Sequence, residues 1–243
     1  MPNGNPDKPH VLSNLGGSLK SRYERLNKME DIDESVEVRR QAVELTPEGQ
    51  EDKASILANL GSSLLRRLER TPQRVPGDAN SATDTLQGAV DLTQDTDLEK
   101  PTRLTLLGGA LSHRFRTTGN AEDLQRSVVA RQKAVDWVPR AHALKPVLLT
   151  NLASSLQTRY EVFRHADDIN ASIDRQEEAV KLTPQDHVDY TVRSINLGYA
   201  FVTRFRHLRS LDDRKSAIIV YHPAQSRTGN PYYVSVDRLS RME

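Results

Sequence analysis

An arginine and an aspartate recur along this chain of 243 residues. The two side chains can form an ion pair with each other, and arginine can also bind an external anion. The arginines are Arg22, Arg67, Arg114, Arg159 and Arg204, and the aspartates are Asp31, Asp78, Asp123, Asp168 and Asp213. On a helical wheel Arg22 falls near the middle of an apolar stripe, between Val11 and Leu19. A guanidinium there needs a partner or must reach past the stripe to water. We therefore favour a structural role over an anion-binding ladder. Each arginine is expected to pair with its aspartate, or with loop carbonyls, and to fix a turn.

Residues suited to other chemistry are sparse. The chain has no cysteine, which excludes disulfides, zinc thiolates and a cysteine nucleophile. Its seven histidines lack metal-ligand spacing, and no glycine-rich phosphate loop is present. We predict that the chain is not an enzyme, needs no cofactor and binds no metal. The formal net charge of +1 provides no field for nucleic acid or an acidic membrane, so we expect neither as a partner.

The recurring residues belong to a repeat that covers most of the chain. Five copies of one stretch begin 45 or 47 residues apart: "NLGGSLKSRY" from Asn14, "NLGSSLLRRL" from Asn59, "LLGGALSHRF" from Leu106, "NLASSLQTRY" from Asn151 and "NLGYAFVTRF" from Asn196. A second stretch follows each copy and starts at the recurring aspartate, as in "DIDESVEVRRQAVELTP" from Asp31. A period this steady predicts an array of similar structural units.

Both stretches have the apolar period of a helix, and prolines mark the helix ends. One helix pair cannot bury its own apolar face, so the pairs must stack. We expect an all-α solenoid of about five antiparallel helix pairs in residues 1–221, with repeats near 9–52, 53–99, 100–144, 145–189 and 190–221. After Ile218 the pattern is lost and Pro223 falls inside the fifth second helix. Residues 222–243 are therefore expected to form an irregular or disordered tail.

The repeat resembles the tetratricopeptide family. Leu15–Gly16, Leu60–Gly61, Leu107–Gly108 and Leu197–Gly198 carry that family's Leu-Gly pattern, and "AVELTP" closes the second helix as the family's repeats do. The resemblance implies a right-handed superhelix. The unit of about 45 residues exceeds the family's usual 34, and is more similar to arrays in large fungal proteins that also carry CHAT peptidase domains or nucleotide-switch receptor domains.

Asparagines and serines of the first helix are the candidate ligand contacts that this resemblance implies. In tetratricopeptide arrays the first helix of each pair lines the concave surface, and an asparagine before the Leu-Gly pair bonds the backbone of an extended peptide. The matching residues are Asn14, Asn59, Asn151 and Asn196, bordered by Ser18, Ser63 and Ser155. The alternative is that these asparagines make interhelical hydrogen bonds that set the repeat spacing.

The leading hypothesis for function is therefore a protein-interaction scaffold that binds a peptide or partner domain in a concave groove. The alternative is a regulatory or sensor part of a larger CHAT-type peptidase or nucleotide-switch receptor. With no signal sequence and no membrane-spanning run in the sequence, a cytoplasmic location is expected. The opening "PNGNPDKP" matches the linker "PEGQEDKA" at Pro47, which predicts that the chain starts within a longer array.

Overall fold

The protein is described by a computed structural model that covers residues 6–70 and 77–228, with side chains described up to residue 221. Within that part the secondary structure is all α-helical, without a strand. The helices are α1 (Lys8–Leu26), α2 (Met29–Leu45), α3 (Lys53–Arg70), α4 (Asp78–Asp91), α5 (Lys100–Thr118), α6 (Ala121–Trp137), α7 (Lys145–Phe163), α8 (Ala166–Lys181), α9 (Tyr190–Leu208) and α10 (Leu211–Thr228).

Very short loops join the helices into antiparallel pairs. Two residues separate the helices of the first, third, fourth and fifth pairs, and the first of the two is left-handed: Asn27, Gly119, Arg164 and Arg209 have φ of 52°, 73°, 61° and 56°. Each of these residues donates its backbone N–H to the carbonyl four residues earlier, which ends the first helix. So short a loop forces the second helix to run back along the first.

Residues 1–134 form one compact unit. In it α1 packs against α3 and α3 against α5, while α2 fills the space beside α1 and α3. No contact joins α2 to α4 among the described residues. The first helices therefore form a layer of their own, and the second helices lie on its other side. Ile32, Leu64, Leu86 and Leu111 are fully buried between the two layers.

The described residues from 135 onwards form a second compact unit. Here α7 packs against α8, α8 against α9, and α9 against α10. Tyr160, Ile169, Ile173, Phe201 and Tyr221 are among the residues of its apolar core.

The buried face of α1 differs from the one expected on the helical wheel. Val11 and Leu15 are both 44% exposed, and the buried residues are Pro9, Ser13, Gly16, Leu19 and Tyr23. The equivalent residues of α3, Ile56 and Leu60, are buried because α2 packs against α3. No described helix lies on that side of α1. Arg22 consequently sits at the edge of the buried face instead of its middle.

In three of the linkers, a lysine at the start of the next first helix bonds to the end of the preceding second helix. Lys53 Nζ donates to the main-chain carbonyls of Val43 and Thr46 at 3.1 and 2.7 Å. Lys100 and Lys145 make the same two contacts, with residues ten and seven positions earlier. An ammonium suits this place because the last carbonyls of a helix lack intrahelical donors and carry partial negative charge. These lysines are the Lys of the "DKP"-type linker motif.

The expected irregular tail differs from the structure in its first part. Helix α10 continues through Pro223 to Thr228, whereas we expected helix to end near residue 221. A single proline removes one backbone hydrogen bond, but the helical turns on either side of it can persist. Residues 229–243 lie outside the described part, and the division into five repeats stays a prediction.

Candidate functional site

All five recurring arginines lie against the aspartate of their own helix pair. In each case Nε and Nη2 donate to the two carboxylate oxygens, at 2.5 to 2.9 Å: Arg22–Asp31, Arg67–Asp78, Arg114–Asp123, Arg159–Asp168 and Arg204–Asp213. The aspartates are almost completely buried at the start of the second helix. The hydrogen bond from Arg22 is the main cause that lowers the pKa of Asp31 below its usual value. This bidentate geometry engages the guanidinium edge that an external anion would need.

Some of these arginines also reach the preceding helix pair. Arg67 Nη1 donates to Asp33 of α2 at 3.4 Å, and Arg204 Nη1 donates to Asn170 of α8 at 2.7 Å. We call each arginine–aspartate pair a staple, because it joins the two helices of one pair. Arg67 and Arg204 also bond a residue of the preceding helix pair.

The asparagines expected to contact a peptide do not share one environment. Asn14 is exposed, and its main-chain carbonyl accepts a hydrogen bond from the exposed Ser18 at 3.2 Å. Asn59 is also exposed, but its Nδ2 donates to Ser13 Oγ at 3.1 Å and so links α3 to α1. Asn151 and Asn196 are half-buried on α7 and α9. Asn59 thus makes the interhelical bond of the alternative hypothesis, whereas the Asn14 side chain lies open on the surface.

Two of the three serines expected to border a groove are not accessible. Ser63 is fully buried and Ser155 is 1% exposed. Ser63 Oγ bonds Ser35 Oγ at 2.8 Å and accepts from Arg39 at 2.7 Å. Ser18 has the same register as Ser63, two residues after the small residue of the Leu-Gly position, but it lies on α1, where no described preceding helix covers it. The assignment of Ser63 and Ser155 to an open groove is therefore wrong, and only Ser18 is on the surface.

The side chain that lies over each Leu-Gly position comes from the second helix. A Cβ built on Gly16 would lie 2.5 Å from Cγ of Arg39, and one built on Gly61 would lie 2.4 Å from Cγ of Leu86. Arg131 lies over Gly108 and Tyr221 over Gly198 in the same way. Glycine is required at these positions because a larger residue would collide with this overlying side chain. Sequence reasoning missed it, since an arginine in the buried register of a helix was not expected.

Arg39 is the least expected of these overlying residues. It is only 5% exposed, and its guanidinium contacts no carboxylate among the described residues. Nη1 donates to the main-chain carbonyl of Asn59 and to Ser63 Oγ, both at 2.7 Å, and Nε donates weakly to the carbonyl of Ser13 at 3.4 Å. Burial lowers the pKa of Arg39 to about 10, so the side chain still carries its charge at neutral pH.

The second unit holds a cavity of about 500 Å³ between its two linkers. Arg140, His142, His187, Asp189 and Arg193 line it. The two histidines accept backbone N–H groups at Nδ1, both at 3.1 Å, and thereby close their linker turns. Arg193 is paired with Asp189 at 3.0 Å. The polar lining is thus largely engaged in holding the linkers.

The described residues contain no group of three or more His, Asp or Glu side chains that could hold a metal ion. Among the same residues, no helix is both long and apolar enough to cross a membrane.

Solved structures with a similar fold are tetratricopeptide-like repeat proteins. The crystal structure of MamA protein matches with a TM-score of 0.57 and 14% sequence identity, over 93% of this chain and 98% of that chain. A Podosopora anserina protein described as a kinesin light chain, with nearly identical TPR-like repeats, matches with a TM-score of 0.62 and 13% identity, over 91% and 99% of the two chains. A single-substitution variant of that protein gives a TM-score of 0.66 at 13% identity, over 93% and 99%. No protein-family model and no curated protein matches this chain. The fold is therefore an all-α, tetratricopeptide-like solenoid of helix pairs.

Proposed function

We propose that this chain is a protein-interaction scaffold that binds a peptide or partner protein on the layer of first helices. The observation that carries the proposal is the arrangement of the first unit, where α1, α3 and α5 form a layer separate from the second helices. The accessible residues of this layer include Asn14, Gly17, Ser18, Asn59 and Ser62, and we call this surface the first-helix face. The tetratricopeptide-like fold supports a role in protein binding.

The chemistry of the first-helix face suits the backbone of an extended peptide. The side chains named above are amides and hydroxyls, which can act as hydrogen-bond donors and acceptors. The Asn14 amide lies open to solvent, and Gly17 and Ser18 beside it leave room for a main chain to approach. The recurring arginines do not contribute, because the buried carboxylates of their own repeats engage them.

The test is a peptide selected from a displayed library on the intact chain, with affinity measured by fluorescence anisotropy. The double variant Asn14→Arg with Ser18→Arg should weaken binding about tenfold or more, because two long charged side chains then fill the approach to α1. The matched control is Gln41→Arg with Glu44→Arg, which places the same side chains on the exposed surface of α2. Equal affinities for both double variants would contradict the proposal, provided that their melting temperatures match the wild type.

The resemblance to arrays of CHAT peptidases and nucleotide-switch receptors gives an alternative proposal, a regulatory or sensor part of such a protein. Its test is a transcript in which this array continues into a catalytic or nucleotide-binding domain. We propose no catalytic activity for the chain. A hydrolytic activity that copurifies with the wild type and is lost on substitution of a described residue would overturn that view.

A further inference from the structure

A buried guanidinium with one unoccupied edge lies directly beneath the first-helix face. Nε and Nη1 of Arg39 make the hydrogen bonds described above, but Nη2 makes none with any described residue. A Cβ built on Gly17 would lie 3.3 Å from this Nη2. Gly17 is half-buried on α1, and it lacks the side chain that would cover this nitrogen. The free edge of Arg39 therefore lies at a notch in the surface of α1, where Gly17 has no side chain to cover it.

A second cation stands at the same notch. Lys20 lies one helical turn after Gly17, and its Nζ donates to Ser62 Oγ of α3 at 2.9 Å. Burial is the largest cause that lowers the pKa of Lys20, and the positive charges of Arg39 and Arg66 lower it further. Glu24 and Glu69 act in the opposite direction.

These two glutamates do not neutralise the notch. Both accept from Arg66, Glu24 at 2.9 Å and Glu69 at 2.7 Å. The three cations Lys20, Arg39 and Arg66 thus exceed the two carboxylates by one positive charge. No salt bridge joins either of them to Lys20 or Arg39 among the described residues. An ammonium and a guanidinium therefore face one notch without a carboxylate of their own.

Among the internal repeats, a glycine directly after the Leu-Gly pair occurs in the same repeats as an arginine at the overlying position. The two repeats with an overlying arginine, Arg39 and Arg131, are also the two that carry glycine at the next position, Gly17 and Gly109. In the other repeats the overlying residue is Leu86, Gln176 or Tyr221, and the next position is Ser62, Ser154 or Tyr199. Packing explains Gly16, because a Cβ at this position would lie only 2.5 to 2.9 Å from Cγ, Nε and Cδ of Arg39. It explains Gly17 less well, because only the flexible end of Arg39 is near.

We propose that Gly17, Lys20 and Arg39 form a subsite that binds a carboxylate group of an acidic peptide segment in a partner protein. A guanidinium edge and an ammonium group together match a carboxylate in charge and hydrogen-bonding geometry. The carboxylate of the ligand would then be the anionic partner that Arg39 does not have among the described residues. This inference rests on the proposed function, because it assigns a ligand class to the first-helix face.

The test follows the Arg39 side chain directly. Its Nε–Hε signal, identified by its loss in Arg39→Lys, is recorded on the intact 15N-labelled chain during titration with acetyl-Glu-Glu-amide. A saturable shift is expected with this dipeptide, but not with acetyl-Gln-Gln-amide or with sodium chloride at matched ionic strength. Absence of a saturable shift would overturn the proposal. So would tighter binding of inorganic phosphate, which would assign the site to a different ligand class.

Two variants locate the subsite. Gly17→Val covers Nη2, and Lys20→Gln removes the second charge, so each should raise the dissociation constant about tenfold or more. Arg40→Gln is the matched control, because it removes one positive charge from an exposed neighbour on α2 and should change the constant by less than about twofold. Circular dichroism checks that Gly17→Val folds, and Lys20→Gln tests the idea independently of that substitution. Unchanged affinity in both variants would refute the assignment.

The outcomes also separate this inference from the proposed function. Library peptides that need Asn14 and Ser18, combined with no response of Arg39 to the acidic dipeptide, would leave the scaffold standing and reject the carboxylate subsite. A saturable response without any selected peptide would support the subsite and count against a peptide-binding face.

Discussion

Arg39→Leu is the substitution that best separates packing from ligand binding in this fold. It copies the second repeat, where Leu86 lies over Gly61 as Arg39 lies over Gly16. The variant keeps an apolar side chain over the glycine but removes the buried charge. We expect the free energy of unfolding to stay equal or to rise by up to about 2 kcal/mol.

The magnitude follows from opposing contributions of similar size. Arg39 loses two hydrogen bonds of 2.7 Å, each worth about 1.5–3 kcal/mol for a charged donor. Against this, burial lowers the pKa of Arg39 to about 10, which corresponds to about 3 kcal/mol against the charged form. Leucine replaces the Arg39 methylene groups that already pack over Gly16, so its burial adds at most about 1.5–3 kcal/mol. The acceptors are not left bare, since Ser63 Oγ keeps its bond to Ser35.

The assay is urea unfolding followed by circular dichroism, with the acidic-dipeptide titration on the same samples. Arg39→Leu should be at least as stable as the wild type while its affinity for acetyl-Glu-Glu-amide falls about tenfold or more. Arg39→Ala is the control for packing, because it leaves a cavity over Gly16 and should destabilise the fold by about 2 kcal/mol or more. A loss of more than about 2 kcal/mol in Arg39→Leu would refute the reasoning, since the arginine would then be chiefly a structural residue.

Three further predictions concern the staples and loops. Asp123→Ala should lower the free energy of unfolding by about 3 kcal/mol, because it leaves the largely buried Arg114 without its carboxylate partner. In urea unfolding, the double variant with Arg114→Met should recover part of this loss. If it recovers none, the two residues do not act as a pair. Arg209→Gly should raise the melting temperature by a few degrees, since a left-handed conformation at φ 56° costs a residue with a side chain about 1 kcal/mol and the Arg209 side chain is exposed. A lower melting temperature would contradict this. Asp31→Asn should be less stable than the wild type at neutral pH, and that difference should shrink as pH falls below about 4, because the folded-state pKa of Asp31 is lowered and its contribution disappears on protonation. A difference that persists unchanged at pH 2 would assign the effect to packing.

Much of this fold follows from the periodicity of the sequence. The repeat of about 45 residues and its apolar period predict helix pairs, and the tetratricopeptide-like neighbours confirm that fold class. The expected pairing of Arg22 with Asp31 relied on a wheel that placed Arg22 too deep, yet the two side chains do meet. Val11 and Leu15 are exposed, so the apolar stripe of the wheel is not the buried face of α1. A helical wheel describes a single helix and does not show which neighbouring helices pack against it.

Less of the candidate site than of the fold could be predicted from the sequence, because its contacts join residues of different helices. Ser63 and Ser18 occupy the same register of the repeat, but one is fully buried and the other is exposed. Helix α2 covers Ser63, which bonds Ser35 and is reached by Arg39 across Gly16, whereas no described helix covers the equivalent side of α1. Such a contact combines residues of three helices, so no pattern within one helix encodes it. The one available signal was the doubled glycine at Gly16 and Gly17.

The position over the Leu-Gly pair can be regarded as the variable element in an otherwise constant unit. The staples, the left-handed loop residues and the linker lysines recur because each satisfies groups that every helix pair leaves without partners. The overlying residue is less constrained in type, since arginine, leucine and tyrosine each cover a glycine of the Leu-Gly pair in different repeats. Because the recurring residues maintain the fold, the overlying residue can change without unfolding the protein. Stability and ligand preference should therefore respond to different substitutions, and Arg39→Leu is the case in which they are expected to part most clearly.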